Sequence, residues 1–215
     1  MATIAFTEYP REPKKMSTAS EAVEVEKPVK GASVHERIID AATALFYAGG
    51  IRATSADRVI EVVGISKVTF YRHFRTKDDL VVAYLERRAA WERGGIEHAR
   101  ESGADARDVL HLIAKGIGDE SCQSGFRGCP FINAAAEYPD PENPVRMVVD
   151  AHRRWFHDAM TSILKGSGVP DLSVAADELV MLRDGAMVSG YLGQPERVTA
   201  TLDAGYAAVL ARAKA

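Results

Sequence analysis

Apolar residues recur at steps of three and four through most of the chain beyond residue 32, and no stretch alternates with a period of two, so the pattern predicts an all-α protein. From Ser33 to Ala48, Ile38, Ala41, Ala42, Leu45 and Phe46 share one helical face. A second helix opens at Thr54 or Ser55 with Asp57 in its first turn, and Val59, Ile60, Val62 and Val63 supply its apolar face. Gly64 ends it, because the residue just past a helix turns left-handed most easily without a Cβ. Ser66 caps a short helix from Lys67 to His73, and Thr76 caps a longer one that begins Lys77-Asp78-Asp79 and runs through Val81, Tyr84, Leu85 and Ala89 to Gly94-Gly95. Val109, Leu110, Leu112 and Ile113 mark a helix within Ala104 to Lys115, followed by a glycine-rich segment from Gly116 to Pro130 that contains both cysteines. Val145 to Lys165 is strongly amphipathic, with Val145, Val148, Val149, His152, Trp155, Phe156, Ala159, Met160, Ile163 and Leu164 on one broad face. Two final helices span Ser173 to about Leu192 and Pro195 to about Arg212; Pro195 suits a first helical position, and the many Ala and Gly in both let backbones approach closely.

The pair of helices from Thr54 to His73, joined by a tight turn, has the spacing of a helix-turn-helix, in which one helix braces a second lying in the major groove. Charge sharpens that reading. Between Ile65 and Lys77 stand Lys67, Arg72, Arg75, Lys77 and His73 with no acid, in a chain whose formal net charge is −3. Positive charge gathered in one window of an acidic protein suits phosphate contact; a solvated basic face gives the same count.

The run Gly64-Ile65-Ser66-Lys67-x-Thr69-x-Tyr71-x-x-Phe74-x-x-Lys77-x-x-Leu80 resembles the DNA-binding signature of the tetracycline-repressor (TetR) family of bacterial regulators. Upstream, Arg37-Ile38-Ile39-x-Ala41-Ala42-x-x-Leu45-Phe46, Gly49-Gly50 and Thr54 are similar to that family's first helix and its entry into the motif, so the resemblance covers about Val34 to Leu85. The chain departs from the family at Ile60 and Val63, where small residues usually let the two helices cross, and at Val68, where a very small residue usually follows the Ser-Lys pair. A branched side chain at Val68 suits contact with a thymine methyl. The resemblance implies a helix-turn-helix DNA-binding domain over 33–79 and a helical-bundle ligand-binding and dimerisation domain over 80–215, while residues 1–32, rich in Glu, Lys, Pro, Ser, Thr and Ala with scarcely any large apolar residue after Phe6, read as a disordered arm. It implies a homodimer through the last two helices, a double-stranded operator with inverted repeats, and a small-molecule effector that releases the protein from DNA. Taken alone, two small-residue helices are equally the interior of a monomer.

The residues placed toward DNA are Thr54, Ser55, Ser66, Lys67, Val68, Thr69, Tyr71, Arg72, His73 and Lys77. The residues placed in the effector site are Phe126, Phe131, Asn133, Glu137, His152, Trp155, Phe156, Met160 and Met187, which join a large apolar surface to a few polar groups and point to an apolar or aromatic effector; such a stripe is also how an ordinary core reads.

Composition narrows the remaining classes. With 215 residues, 47% hydrophobic and 27% charged, the chain supports one sizeable core and a small second module. It has neither an apolar run of membrane-spanning length nor a signal-peptide pattern, which points to the cytoplasm and to reduced thiols. In the arm, Arg11, Lys14, Lys15, Lys27 and Lys30 are balanced by Glu8, Glu12, Glu21, Glu24 and Glu26, so it has no net attraction to DNA. Cys122 and Cys129, with glycines between them and Arg127 beside them, fit a thiol-based redox switch or two inert thiols; their spacing matches no common zinc pattern, and neither metal nor cofactor is expected. No phosphate-binding loop, nucleophile elbow or zinc-protease motif is present, so nothing in the sequence argues for an enzyme. A third class is a helical ligand-binding dimer without specific DNA binding, against which the acid-free basic window stands.

Overall fold

The computed structural model describes residues 32–101 and 105–212; all but the last residue of the arm expected over 1–32 lies outside them. The described residues form nine helices and no strand: α1 (Val34–Gly49), α2 (Ala56–Val63), α3 (Lys67–His73), α4 (Lys77–Glu101), α5 (Ala106–Ser121), α6 (Pro130–Glu137), α7 (Pro144–Leu164), α8 (Leu172–Leu192) and α9 (Pro195–Ala211). The all-α expectation holds. Among these residues no helix is long and apolar enough to cross a membrane.

Two compact units emerge. Of the described residues, the first takes 32–89 and 130–149, the second 90–101, 105–129 and 150–212. The helices of the first unit begin where short polar side chains satisfy orphan amides. Ser33, Ser55 and Ser66 accept from the amides of Glu36, Arg58 and Thr69, and Thr76 and Asp79 bond reciprocally at 2.9 and 3.0 Å, a complete capping box. Gly64, at φ +70°, ends α2 in the left-handed conformation its sequence position suggested. Ile38, Leu45, Phe46, Val59, Phe70, Leu80, Val81 and Leu85 are buried here, and Arg37 closes the end of α2 by donating to the Val63 carbonyl at 2.6 Å.

The second unit is built on one apolar cluster that joins Ile96 and Ala99 of α4, Val109, Leu110 and Ile113 of α5, Phe156 and Met160 of α7, Leu179 and Val180 of α8, and Leu202 and Tyr206 of α9. Two sequence expectations are corrected here. Gly94 and Gly95 do not end α4, which continues to Glu101. A mid-helix glycine costs only about 1 kcal/mol relative to alanine, and burial of Ile96 and Ala99 just beyond outweighs it. Likewise Gly116 and Gly118 lie inside α5, so the helix expected within Ala104 to Lys115 continues to Ser121.

Gly118 is there for closeness. A Cβ built on it would fall 1.8 Å from Thr199 Oγ1, 2.9 Å from Thr199 Cβ and 3.0 Å from the Thr199 amide nitrogen, so α5 and α9 touch backbone to backbone at this point. Gly118→Ala is therefore expected to lower unfolding free energy by about 1–3 kcal/mol in denaturant titrations, the range of overpacked cores, and Thr199→Ala to recover part of that loss.

Candidate functional site

Seven residues form α3, and Phe70 is the one it buries. Phe70 meets Phe74 at 6.1 Å between ring centres, and Phe74 stacks on His35 of α1 at 4.8 Å. With that side anchored, the opposite side is open: Val68 is 73% and Tyr71 49% exposed, Lys67, Arg72 and His73 are exposed, and Thr69 is half-buried. Ser66 is the N-cap, and its hydroxyl lies 2.9 Å from that of Thr69. This face carries cations, a hydroxyl pair, a branched apolar side chain and a phenol, a set able to meet phosphates and base edges together.

Three residues expected at the DNA surface are placed differently from the rest. Thr54 is 6% exposed, and its hydroxyl donates to the Gly50 and Leu45 carbonyls at 2.9 and 3.3 Å. It shapes the loop into α2 from inside and is corrected to a buried structural residue; Ser55, exposed, is the helix cap. Lys77 is half-buried, with Nζ 3.5 Å from the Arg52 carbonyl, and burial lowers its pKa. Lys67 is exposed, yet its ammonium lies 2.9 Å from the Asp57 carboxylate of α2, a hydrogen bond that raises its pKa. Exposed pairs of this kind are worth little, so a phosphate can take the place of Asp57. The sequence showed both partners but not their meeting, because they lie ten residues apart on separate helices.

The effector candidates divide between the units. Phe131, Asn133 and Glu137, all on α6, fall in the first; Phe126, His152, Trp155, Phe156, Met160 and Met187 fall in the second. Phe131 is buried and Asn133 exposed. Glu137 is corrected from ligand group to latch: its two carboxylate oxygens accept from the backbone amides of Ile51 at 2.9 Å and Arg52 at 2.6 Å, in the loop between α1 and α2. Next to it the Tyr138 hydroxyl donates to Asp78 at 3.0 Å and the Asn143 amide to the same carboxylate at 3.3 Å, which ties the first turn of α4 to the segment after α6. Burial, then the bond to Asp78, pushes the Tyr138 phenol well above its ordinary range. Glu137→Ala leaves two amides without their acceptor, and we expect a loss of about 1–3 kcal/mol in unfolding free energy, with Glu137→Gln losing less because it still offers one oxygen.

In the second unit His152, Phe156, Met160 and Met187 are buried, Phe126 is 9% exposed and packs against Gly190 of α8, and Trp155 is half-buried under the Arg93 guanidinium at 5.2 Å. Sequence reasoning missed what stands among them. Arg183, on α8, is 6% exposed and donates to Cys129 Sγ at 3.0 Å and to Glu92 Oε2 at 3.4 Å, while the same Glu92 oxygen lies 3.0 Å from His152 Nε2. A signal existed, since Arg183-Asp184 interrupts an otherwise apolar and small run from Leu179 to Leu192. Cys129 is buried against Arg183, and Cys122 is exposed at the C-cap of α5, so the two thiols occupy unlike settings; Arg127 lies over the Tyr191 ring. An open cleft of about 780 Å³ elsewhere in this unit, lined by Arg100, Arg107, Ser162, Lys165 and Leu210 among others, contains none of the nine candidates.

Comparison with known proteins agrees with this arrangement. Residues 38–84, the stretch that holds α2, α3 and their supports, match the family model described as bacterial regulatory proteins, tetR family. The helix-turn-helix regulator YvkB of Bacillus subtilis, itself uncharacterized, is 36% identical over 78 residues, 36% of this chain and 40% of its own length. The transcriptional activator FasR of Mycolicibacterium smegmatis is 28% identical over 117 residues, 54% of this chain and 53% of its own. The chain thus matches about half the length of these curated relatives. Over a longer span, a TetR-family transcriptional regulator from Streptomyces coelicolor of known crystal structure is 43% identical, the match covering 82% of this chain and 94% of that one with a TM-score of 0.79. Identity at that level, maintained through both units and joined to an exposed recognition helix, means that this chain belongs to the TetR family of helix-turn-helix transcriptional regulators.

Proposed function

We propose that the protein is a ligand-responsive repressor that binds an inverted-repeat operator as a homodimer and is released by a small apolar or aromatic effector. The observation that carries this reading is the acid-free, outward face of α3 fixed on a buried Phe70. In this reading residues 33–79 hold the DNA, with Lys67, Arg72 and Arg75 on phosphates and Val68, Thr69 and Tyr71 toward base edges, while residues 80–215 take the effector and the partner subunit. Ser55, Ser66, His73 and Lys77 stand at the margins of the contact. FasR is an activator by name, so the same fold serves either sign of control; repression follows where the operator overlaps the polymerase site.

Support for the dimer lies on α8. Val174, Met181, Val188 and Leu192 are 50%, 69%, 45% and 74% exposed, and with Glu178 and Gly185 they fall at alternating steps of four and three along one side of the helix. That spacing is the seam of packed helix pairs, and a run of large apolar side chains in water is a surface waiting for its match. Two recognition helices related by a two-fold axis read the same half-site in opposite directions, hence the inverted repeat. Release then requires an effector that favours one shape of the dimer over another by several kcal/mol. We assign the transmission to α4, which begins at Lys77 beside the DNA-binding helices and ends at Glu101 within the effector unit.

With three phosphate-facing cations per protomer, affinity for operator DNA is expected to fall by about a thousandfold between roughly 50 and roughly 200 mM salt. In fluorescence-anisotropy titrations Lys67→Ala should weaken all sequences alike and flatten that slope, whereas Val68→Gly and Thr69→Ala should change base preference; a salt-independent affinity overturns the reading. Val188→Glu is expected to give monomers in sedimentation velocity and to cost at least about a hundredfold in operator affinity, because a half-site held by one protomer loses the tethered second contact.

A further inference from the structure

The core of the second unit holds more hydrogen-bonding capacity than its own packing uses. Of the Arg183 guanidinium, one terminal nitrogen meets Cys129 Sγ at 3.0 Å and Asp184 at 3.4 Å, the other meets Glu92 at 3.4 Å, and its carbon lies 5.3 Å from the centre of the Phe156 ring. Its Nε–H has no acceptor among the described residues. Neither has the hydroxyl of Tyr206 on α9, whose side chain is entirely buried in the cluster that contains Phe156. Phe156 links the two: the Arg183 guanidinium lies over its ring, and Tyr206 belongs to the same buried cluster, where burial holds the phenol above its ordinary pKa.

A buried donor without an acceptor is costly, and two in one core are rarer than one. Both orphans are donors, so what completes them is an acceptor. Charge narrows the class. Glu92 and Asp184 already face Arg183, so a further carboxylate would sit against two acids, whereas an uncharged oxygen adds no repulsion. The surroundings set the rest of the molecule: Phe156 and Met160 are buried in the same cluster and Trp155 packs half-buried against it, and an unbranched methionine shifts to admit a flat apolar body at small cost.

We propose that Arg183 and Tyr206 form the polar end of the effector site, and that the effector is an uncharged aromatic carbonyl compound whose oxygen accepts from Arg183 Nε–H and Tyr206 O–H. This rests on the reading of the second unit as effector-binding and names the chemistry that reading left open.

Thermal melts of the full chain with matched probes test it: acetophenone, ethylbenzene and benzoate, and the naphthalene counterparts 2-acetonaphthone, 2-ethylnaphthalene and 2-naphthoate. In at least one series the ketone should raise Tm and bind at least about tenfold more tightly than either the hydrocarbon or the acid. Tyr206→Phe should abolish that preference while leaving the Tm without probe unchanged or slightly higher, since the deleted hydroxyl had no partner. Arg183→Lys, which keeps the charge beside Glu92 but removes the Nε donor, should also abolish it. A Tm lowered by several degrees in Tyr206→Phe without probe overturns the proposal, because the hydroxyl would then be bonded within the protein; so does parity of ketone and hydrocarbon, or binding of none of the six. The salt response of DNA binding, measured on the same preparations, separates the outcomes: if it is intact while no ketone is preferred, this inference falls and the regulator reading stands.

Discussion

Burial of Phe70 is the constraint from which the DNA-binding surface follows. A seven-residue helix is far too short to persist in water alone, since nucleation costs more than so few hydrogen bonds return. Removing one phenyl ring from water contributes about 1.5–3 kcal/mol, enough to hold a helix whose two ends are already capped or turned. Phe70 also fixes rotation about the helix axis: with it inward, Val68, Tyr71 and Arg72 have no choice but to point out. The charges proposed to meet phosphate, the side chains proposed to meet bases and their mutual register all descend from one inward ring.

Much of this was readable from residue order alone because it is local. Caps at Ser55, Ser66 and Thr76, the stop at Gly64 and the helix-leading Pro195 act within three or four residues of themselves, and each stands where its neighbours said it would. Two of the misplacements involve contacts that span long stretches of chain. Glu137 sits 86 residues from the amide of Ile51, and nothing near it in sequence announces a loop in need of an acceptor. Gly118 looked like a breaker until Thr199 of a distant helix explained why no side chain fits there. Thr54 carries the hydroxyl of a cap, but the turn after Gly50 faces it inward and leaves the capping to its neighbour. Glycine and short polar residues have two uses each, and only the fold says which one applies.

Arg183 shows the limit from the other side. Burying a guanidinium is expensive unless it is paired, and here Glu92, Asp184 and the sulfur of Cys129 share it, with His152 on the far side of Glu92. Four elements supply the members of this group, so its stability depends on α4, α7, α8 and the segment before α6 keeping their spacing. A helix made mostly of small and apolar residues carries this ion inside, and the apolar face it leaves in water belongs to the other side of the same helix.

Val68 and Tyr71 are large apolar side chains kept wet on a surface otherwise suited to charge. Neutralising phosphates releases counterions and is driven by their entropy, with little change in apolar hydration. Pressing a valine and a phenol ring against base edges strips ordered water from hydrocarbon, and the mark of that event is a drop in heat capacity. In the proposed complex, sliding along arbitrary DNA and settling on the correct site thus differ in their temperature dependence as well as in strength: the settled state gains enthalpy on warming, and the ratio between the two shifts with the growth temperature of the cell.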